Sequence, residues 1–438
     1  MQQNSSQGKE PLLDRILIPI IFLAIILLGH YGIFLGYNFL TGEVPYGIYS
    51  FHTGNMSSSG WRPDLGLGIS HFFGDPGSFH VWAFFRWWNH LFPDPLVGFN
   101  TSIIVLLWTA CLAQFLLLKK ALPNLGRPIS ILLACLIAFG SQRHAILFSQ
   151  SHLGFFPTAI PLISLTLYDF SINPSKKHYF HYTLILTLTI VLGSAIVFIQ
   201  SLIFSFIFFL ILIYFHGWHK NWGLFLFWFR RFFLLNLSSG VTIVILGAWA
   251  FYSIFVENQI SSYVRDANYL KETSLPSISL KLIFLKFLEY GLPGLFSPWS
   301  SALGIDQTLR IPMVGKNCFS ILFPIVLLIT LFHKSKSFWE FSCKYMFIII
   351  FVYFEITNIA PWILNIFHYV RPPNDLFVIF HVFGILGLGI CLNRVRSKEF
   401  EISKKVSLLI RCVASPLSFI YLTLFLIALF SIYEPESL

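Results

Sequence analysis

The sequence predicts an all-α, polytopic membrane protein, and two observations lead to this fold class. Apolar residues make up 56% of the 438 residues and only 11% are charged, whereas a soluble domain carries about 25% charged residues. The apolar residues form long continuous runs and not short alternating segments, which favours membrane-spanning helices over a β-barrel. With about eleven such runs, residues 1–438 are predicted to form a single integral membrane domain, a transmembrane helical bundle.

Most apolar runs have the length that one helix needs to cross a bilayer, about 20 residues. The stretch 181–216 is the exception, because one helix of that length would far exceed a hydrocarbon core of about 30 Å. Gly193 and Ser194 interrupt it, so we expect two helices joined by a tight turn. The predicted spans are 15–37, 98–118, 128–148, 154–172, 181–197, 198–216, 232–255, 317–333, 345–366, 375–392 and 406–432.

The basic residues predict the orientation of the bundle. The formal net charge of +10 is typical of Lys and Arg gathered in cytoplasmic loops and does not indicate nucleic-acid binding. With a cytoplasmic tail (1–14) and the break at 193–194, every basic cluster falls on the cytoplasmic side, and the C-terminus lies outside. We therefore expect a multi-pass protein of the cell inner (cytoplasmic) membrane. The clusters are Lys9 and Arg15; Lys119, Lys120 and Arg127; Lys176 and Lys177; Lys220, Arg230 and Arg231; Lys334, Lys336 and Lys344; and Arg394, Arg396, Lys398, Lys404, Lys405 and Arg411.

This topology leaves two long non-cytoplasmic loops, 38–97 and 256–316. The first is rich in Gly, Pro, His and Trp and carries several acids. Its segment 79–92 surrounds single Arg and Asn residues with Trp, Phe and His, which predicts an amphipathic helix lying in the membrane interface. The Asp-Pro pairs at 75–76 and 94–95 have the pattern of a helix N-cap followed by Pro at the first helical position.

Three acids of the first loop are candidates for a catalytic carboxylate. Asp64 lies between a proline and two glycines, where no helix begins, and glycine permits a ligand to approach the backbone closely. Glu43 follows the first span directly, and Asp75 can act either as an N-cap or in catalysis. The alternatives are a local ion pair with Arg62 for Asp64 and an ordinary interfacial carboxylate for Glu43.

Three neighbours of these acids, Trp61, Arg62 and His71, are candidate substrate-binding residues. His52, His71 and His80 could also join the acids around a divalent metal such as Mg or Mn, because carboxylate oxygens and imidazole nitrogens both bind divalent ions. No tight spacing of ligand residues predicts such a cluster. A hydrogen-bonded polar histidine is the alternative, and whether a metal takes part stays open.

Two more candidates lie late in the chain. Arg371 precedes Pro372 at the outer end of the tenth span, where a guanidinium beside the N–H groups of a helix start suits a phosphate. The alternative is an interfacial arginine that extends towards lipid headgroups. Glu355 lies near the middle of the ninth span, where a carboxylate is costly unless it faces the bundle interior. It is either a substrate or proton contact or a neutral acid hydrogen-bonded to Asn358.

The order of these features resembles a known family. An acid and aromatic residues follow the first span (42–51), and then come a Gly-rich LGLG (65–68), a GDP turn (74–76) and an aromatic segment before the second span. Later, an Arg-Pro turn (371–372) opens a Phe- and Gly-rich helix. The chain is similar to the YfhO-like bacterial membrane proteins, within the GT-C superfamily of polyprenyl-phosphate-sugar glycosyltransferases.

The resemblance implies a GT-C-like bundle and the inverting transfer of a sugar from a lipid-phosphate carrier on the non-cytoplasmic face. It places a catalytic carboxylate in the first outer loop, which corresponds here to Glu43, Asp64 or Asp75. The implied partners are a polyprenyl-phosphate-linked sugar donor and a membrane lipid or envelope glycan acceptor. The chemistry is consistent, because the attacking hydroxyl needs a base and the leaving phosphate needs a cation, either Arg371 or a metal.

Two other classes of protein stay open. A transporter or lipid flippase makes no bond and concentrates polar groups near the membrane midplane, on interrupted helices. Here the polar residues concentrate in the outer loops, and Glu355 is almost alone within the spans. The other class is a catalytically inactive relative that serves as an assembly subunit.

Overall fold

The computed structural model describes residues 12–30, 61–62, 69–70, 88, 91–139, 154–192, 195–252, 330, 334–351 and 378–397. Within these parts the chain is mainly helical, as the sequence predicts. One pair of two-residue strands is also present. The helices are α1 (Leu12–Gly29), α2 (Pro95–Ala121), α3 (Arg127–Phe139), α4 (Phe156–Ile172), α5 (Lys176–Val191), α6 (Ala195–Phe215), α7 (Trp222–Tyr252), α8 (Phe338–Phe351) and α9 (Val378–Arg396). A short 3₁₀ helix, Trp218–Lys220, joins α6 to α7, and the strands are β1 (Trp61–Arg62) and β2 (Ile69–Ser70).

Two of these helices contain segments that are long and apolar enough to cross a membrane, Asn100–Ala121 in α2 and Trp222–Val241 in α7. They occupy different places in the bundle. In α2, 67% of the apolar segment is buried against other helices, whereas in α7 only 17% is buried. The central helix is therefore α2, and α7 presents an apolar face to the surroundings, including Phe233 and Leu237.

The predicted break between residues 181 and 216 is confirmed, because α5 ends at Val191 and α6 begins at Ala195. The two helices pack against each other on either side of this break. The start of α2 also agrees with its sequence pattern: Asp94 precedes the first helical residue, and its carbonyl accepts a hydrogen bond from the Gly98 N–H at 3.0 Å.

Polar and aromatic contacts tie α2 to its neighbours. The Trp108 indole donates a hydrogen bond to the Pro19 carbonyl of α1 at 2.9 Å, and the Gln114 amide donates to the Val382 carbonyl of α9 at 3.1 Å. Another hydrogen bond, 3.2 Å long, links the hydroxyl of Thr109 to that of Thr158 in α4. Side-chain hydrogen bonds of this kind fix helix pairs in register inside apolar bundles.

Basic residues from distant parts of the chain meet at one end of this bundle, which we call the basic end. Lys120 at the end of α2 forms an ion pair with Asp169 at the end of α4, with Nζ and Oδ1 2.9 Å apart. Arg396 at the end of α9 donates a hydrogen bond to the Leu125 carbonyl, just before α3, at 3.1 Å. The ends of α2, α4 and α9 and the start of α3 therefore lie together.

Aromatic rings bring the remaining helix ends to the same place. Phe170 of α4 makes edge-to-face contacts with Tyr179 near the start of α5 and with Trp228 of α7. The last residue of α6, Phe215, packs edge-to-face on Phe338, the first residue of α8. Helices α2, α4, α6 and α9 thus end at the basic end, whereas α3, α5, α7 and α8 begin there. This is the alternation that the sequence predicts once residues 181–216 are split.

Candidate functional site

The first long loop joins the bundle at the end opposite the basic end. Because α3 begins at the basic end, its last residue, Phe139, lies at the opposite end, and His30 stacks on that ring with centroids 5.6 Å apart. Helix α1 therefore terminates there. Helix α2 also begins there, since it runs from Pro95 towards Lys120. We call this the loop end, because both attachments of residues 31–94 lie on it.

The second segment with candidate residues attaches in the same way. Helix α8 begins at the basic end, where Glu340 meets Arg394, and runs away from it. Helix α9 returns from the loop end and terminates in Arg394 and Arg396. Residues 352–377, which include Glu355 and Arg371, therefore leave α8 and enter α9 on the side of the loop end. The two segments that contain the candidate residues are therefore both connected to described helices on the side of the loop end.

Within the first loop, β1 and β2 form an antiparallel pair in which Trp61 faces Ser70 and Arg62 faces Ile69. The residue pattern of this region predicts an irregular loop, so the strand pairing is a feature that only the structure reveals. Asp64 belongs to the connection between the two strands, and His71 follows β2 directly. Four of the eight candidate residues are therefore on one short stretch, 61–71, whose flanks are hydrogen-bonded to each other.

The aromatic segment before α2 is attached to that helix by Trp88. Its indole N–H donates a hydrogen bond to the Thr101 hydroxyl at 3.0 Å, and Thr101 in turn donates to the Gly98 carbonyl at 2.8 Å. The Trp88 carbonyl accepts the Leu91 N–H at 3.1 Å. The end of the predicted interfacial helix 79–92 is thus held on the first turns of α2, and the rest of that helix lies outside the described residues.

Most candidate side chains lie outside the parts that the structure describes. This applies to Glu43, Asp64, Asp75, His71, Arg371 and Glu355, and for Trp61 and Arg62 only the backbone is described. Among the residues that are described, no group of three or more His, Cys, Asp or Glu side chains could hold a metal ion. The residues considered for a divalent metal such as Mg or Mn, His52, His71, His80 and the three acids, lie outside this part of the chain.

The basic end contains a buried ion pair that could not be predicted from the sequence. Arg394 donates from Nε to one oxygen of Glu340 at 3.1 Å and from Nη2 to the other, and both side chains are largely buried. Glu340 also accepts the Lys336 N–H at 2.6 Å, and Arg394 donates to the Lys334 carbonyl at 3.3 Å. Such a bidentate pair holds α8 against α9, which indicates a structural role.

Comparisons with known proteins give no relative: no protein-family model, no curated protein and no solved structure matches this chain. The similarity to YfhO-like proteins therefore stays a prediction from the residues quoted above. The structure itself defines a helical bundle with two candidate membrane-spanning helices, a basic end and a loop end.

Proposed function

We propose that this protein is a membrane glycosyltransferase of GT-C type that moves a sugar from a polyprenyl-phosphate donor to an envelope acceptor. The basic end faces the cytoplasm and the loop end faces the opposite side, where transfer takes place. The proposal rests on one observation, namely that the acid-bearing first loop and the segment with Arg371 attach to the same end of the bundle. The acids of the first loop and the guanidinium of Arg371 would thereby be available on one membrane face.

The chemistry assigns a role to each group. A carboxylate among Glu43, Asp64 and Asp75 takes the proton from an acceptor hydroxyl as that oxygen attacks the anomeric carbon of the sugar. The bond from this carbon to the phosphate oxygen breaks, and the lipid phosphate leaves with its electron pair. Arg371 stabilises the negative charge that develops on the phosphate. Trp61, Arg62 and His71 hold the donor beside Asp64, Glu355 contacts the substrate or its proton from the membrane side, and a divalent Mg or Mn ion could assist the leaving phosphate.

The test is mass spectrometry of envelope glycolipids and glycopolymers from cells with and without the gene. The deletion strain should lack one sugar on one species, and the wild-type gene should restore it. Glu43→Gln, Asp64→Asn or Asp75→Asn should fail to restore it in at least one case, because loss of a general base lowers the rate by about 10²–10⁴-fold.

Asp94→Asn is the matched control, since it removes a fourth acid of the same loop. Asn caps a helix as well as Asp does, so this variant should fold and restore the sugar fully. If all three amide variants are as active as Asp94→Asn, the base is misassigned. An unchanged glycan profile in the deletion strain would contradict glycosyl transfer and favour a transporter, a lipid flippase or a non-catalytic assembly subunit.

A further inference from the structure

A cleft of about 340 Å³ opens between α4 and α5 at the basic end. Its polar part is lined by Asp169 at the end of α4 and by Lys177, His178 and His181 in the first turns of α5. Its apolar part continues along the same two helices and includes Leu165 and Leu184. The volume is in the range of small-ligand sites, about 300–1,000 Å³, and the lining is polar at one end and apolar at the other.

The charges at the mouth of this cleft favour an anion. The only acid in its lining, Asp169, already pairs with Lys120. Lys177 is exposed and has no ion-pair partner among the described residues. The mouth also lies at the N-terminus of α5, where the first-turn N–H groups and the helix dipole add positive potential.

The apolar part of the cleft lies on the outside of the bundle. Leu184, about two turns along α5 from Lys177, is 44% exposed, and Phe180 beside the cleft is 66% exposed. In a membrane-embedded bundle such side chains contact acyl chains. The cleft therefore presents a cation near the headgroup level and an apolar wall next to it, which matches the shape of an amphiphile with a negative headgroup.

We propose that this cleft binds an anionic phospholipid, with its phosphate at Lys177 and His181 and an acyl chain along Leu165 and Leu184. The cytoplasmic leaflet supplies such lipids, and basic pockets between helices on that side recognise their headgroups. The site is on the opposite end of the bundle from the proposed sugar-transfer site, and its occupation does not depend on that activity.

Native mass spectrometry of the purified full-length protein in detergent tests this site, with phosphatidylglycerol and phosphatidylcholine added separately. The wild type should retain phosphatidylglycerol more tightly than phosphatidylcholine, and an excess of inorganic phosphate should not displace it. Equal retention of the two lipids, or full displacement by inorganic phosphate, would overturn the proposal, because either result removes the requirement for an anionic lipid.

Lys177→Gln and Lys220→Gln form a matched pair, since both remove one exposed lysine from the basic end but only Lys177 lines the cleft. Lys177→Gln should weaken phosphatidylglycerol binding about fivefold, and Lys220→Gln should leave it unchanged. Leu184→Trp fills the apolar part without altering charge and should also weaken binding. Wild-type affinity in both Lys177→Gln and Leu184→Trp would overturn the assignment of the lipid to this cleft.

Discussion

The two ends of this bundle differ in how their polar residues are used. At the basic end, several charged side chains pair with each other or with backbone carbonyls, as in Arg394 with Glu340 and Arg396 with Leu125. At the loop end, long segments rich in acids, Trp and Gly connect the helices. The described contacts there attach these segments to the helices, as the hydrogen bond from Trp88 to Thr101 does. One end holds helices together, and the other carries the candidate chemistry.

This difference gives a way to separate structural charges from functional ones. A charge that is paired, buried and hydrogen-bonded to backbone groups contributes to assembly, and replacing it should reduce stability. A charge that acts on the substrate should, when it is replaced, reduce activity and leave stability unchanged. Substitutions at the two ends should therefore change different measured quantities.

The largest effect on stability is expected for Arg394→Ala. This variant leaves Glu340 buried without its cation, which costs about 3–5 kcal/mol in the free energy of unfolding. Unfolding of the purified protein by titration with sodium dodecyl sulfate measures this loss. Sugar transfer per folded molecule should stay at the wild-type level.

Lys120→Ala is the control for Arg394→Ala, because it breaks the ion pair with Asp169 at the same end of the bundle. Both side chains of that pair are 37% exposed, so its loss should cost less than about 1 kcal/mol. Equal losses in the two variants would show that burial does not distinguish these pairs. A large loss of transfer in folded Arg394→Ala would contradict the division between the two ends.

A smaller effect is expected for Tyr182→Phe, which tests the helix contacts between the two ends. The buried Tyr182 hydroxyl donates a hydrogen bond to the Asn236 side chain of α7 at 2.9 Å. Its removal should cost about 1 kcal/mol in the same titration. Tyr345→Phe is the control, since the Tyr345 hydroxyl makes no hydrogen bond to any described residue, and it should leave stability unchanged.

The smallest effect concerns pH at the basic end. His216 follows α6 and stacks on Trp218 with centroids 4.7 Å apart, and the partial burial lowers the pKa of His216 below its usual 6.5. As the pH falls, His216 is protonated in the unfolded chain before it is protonated in the folded chain. The contribution of neutral His216 to the free energy of unfolding is therefore fully present above pH 6.5 and is lost as the pH falls below that value. The melting temperature of wild type should drop slightly more between pH 7.5 and 5.5 than that of His216→Gln; identical slopes would contradict this prediction.

The helical scaffold could be predicted because its causes are local. A bilayer limits the length of a helix, which predicts a break in the stretch 181–216, and the described helices end at Val191 and begin again at Ala195. The cap at Asp94 follows from an Asp-Pro pair. The clustering of Lys and Arg follows from alternation of the predicted spans, and most described basic residues lie at helix ends. Arg230 and Arg231 differ from the prediction, because they lie inside α7, within its apolar segment Trp222–Val241, and not before it.

The pairing of Arg394 with Glu340 could not be predicted, because the two residues are 54 positions apart and no local spacing connects them. The cleft between α4 and α5 likewise depends on how two helices pack, which composition does not specify. For the proposed transfer site, the candidate residues could be predicted from their types and positions in the sequence. The structure adds the pairing of β1 with β2, which joins the two sides of the short stretch that contains Trp61, Arg62, Asp64 and His71.

We expect the candidate residues and the basic end to lie on opposite faces of the membrane. The most direct measurement is labelling of single cysteines with a membrane-impermeant maleimide, in a background without the six natural cysteines. Ser57→Cys and Asn374→Cys report on the two candidate segments, and Lys176→Cys reports on the basic end. In intact spheroplasts, Cys at 57 and 374 should be labelled, and Cys at 176 should be labelled only after lysis. Labelling of positions 57 and 176 from the same side would contradict the placement of the two ends on opposite faces of the membrane.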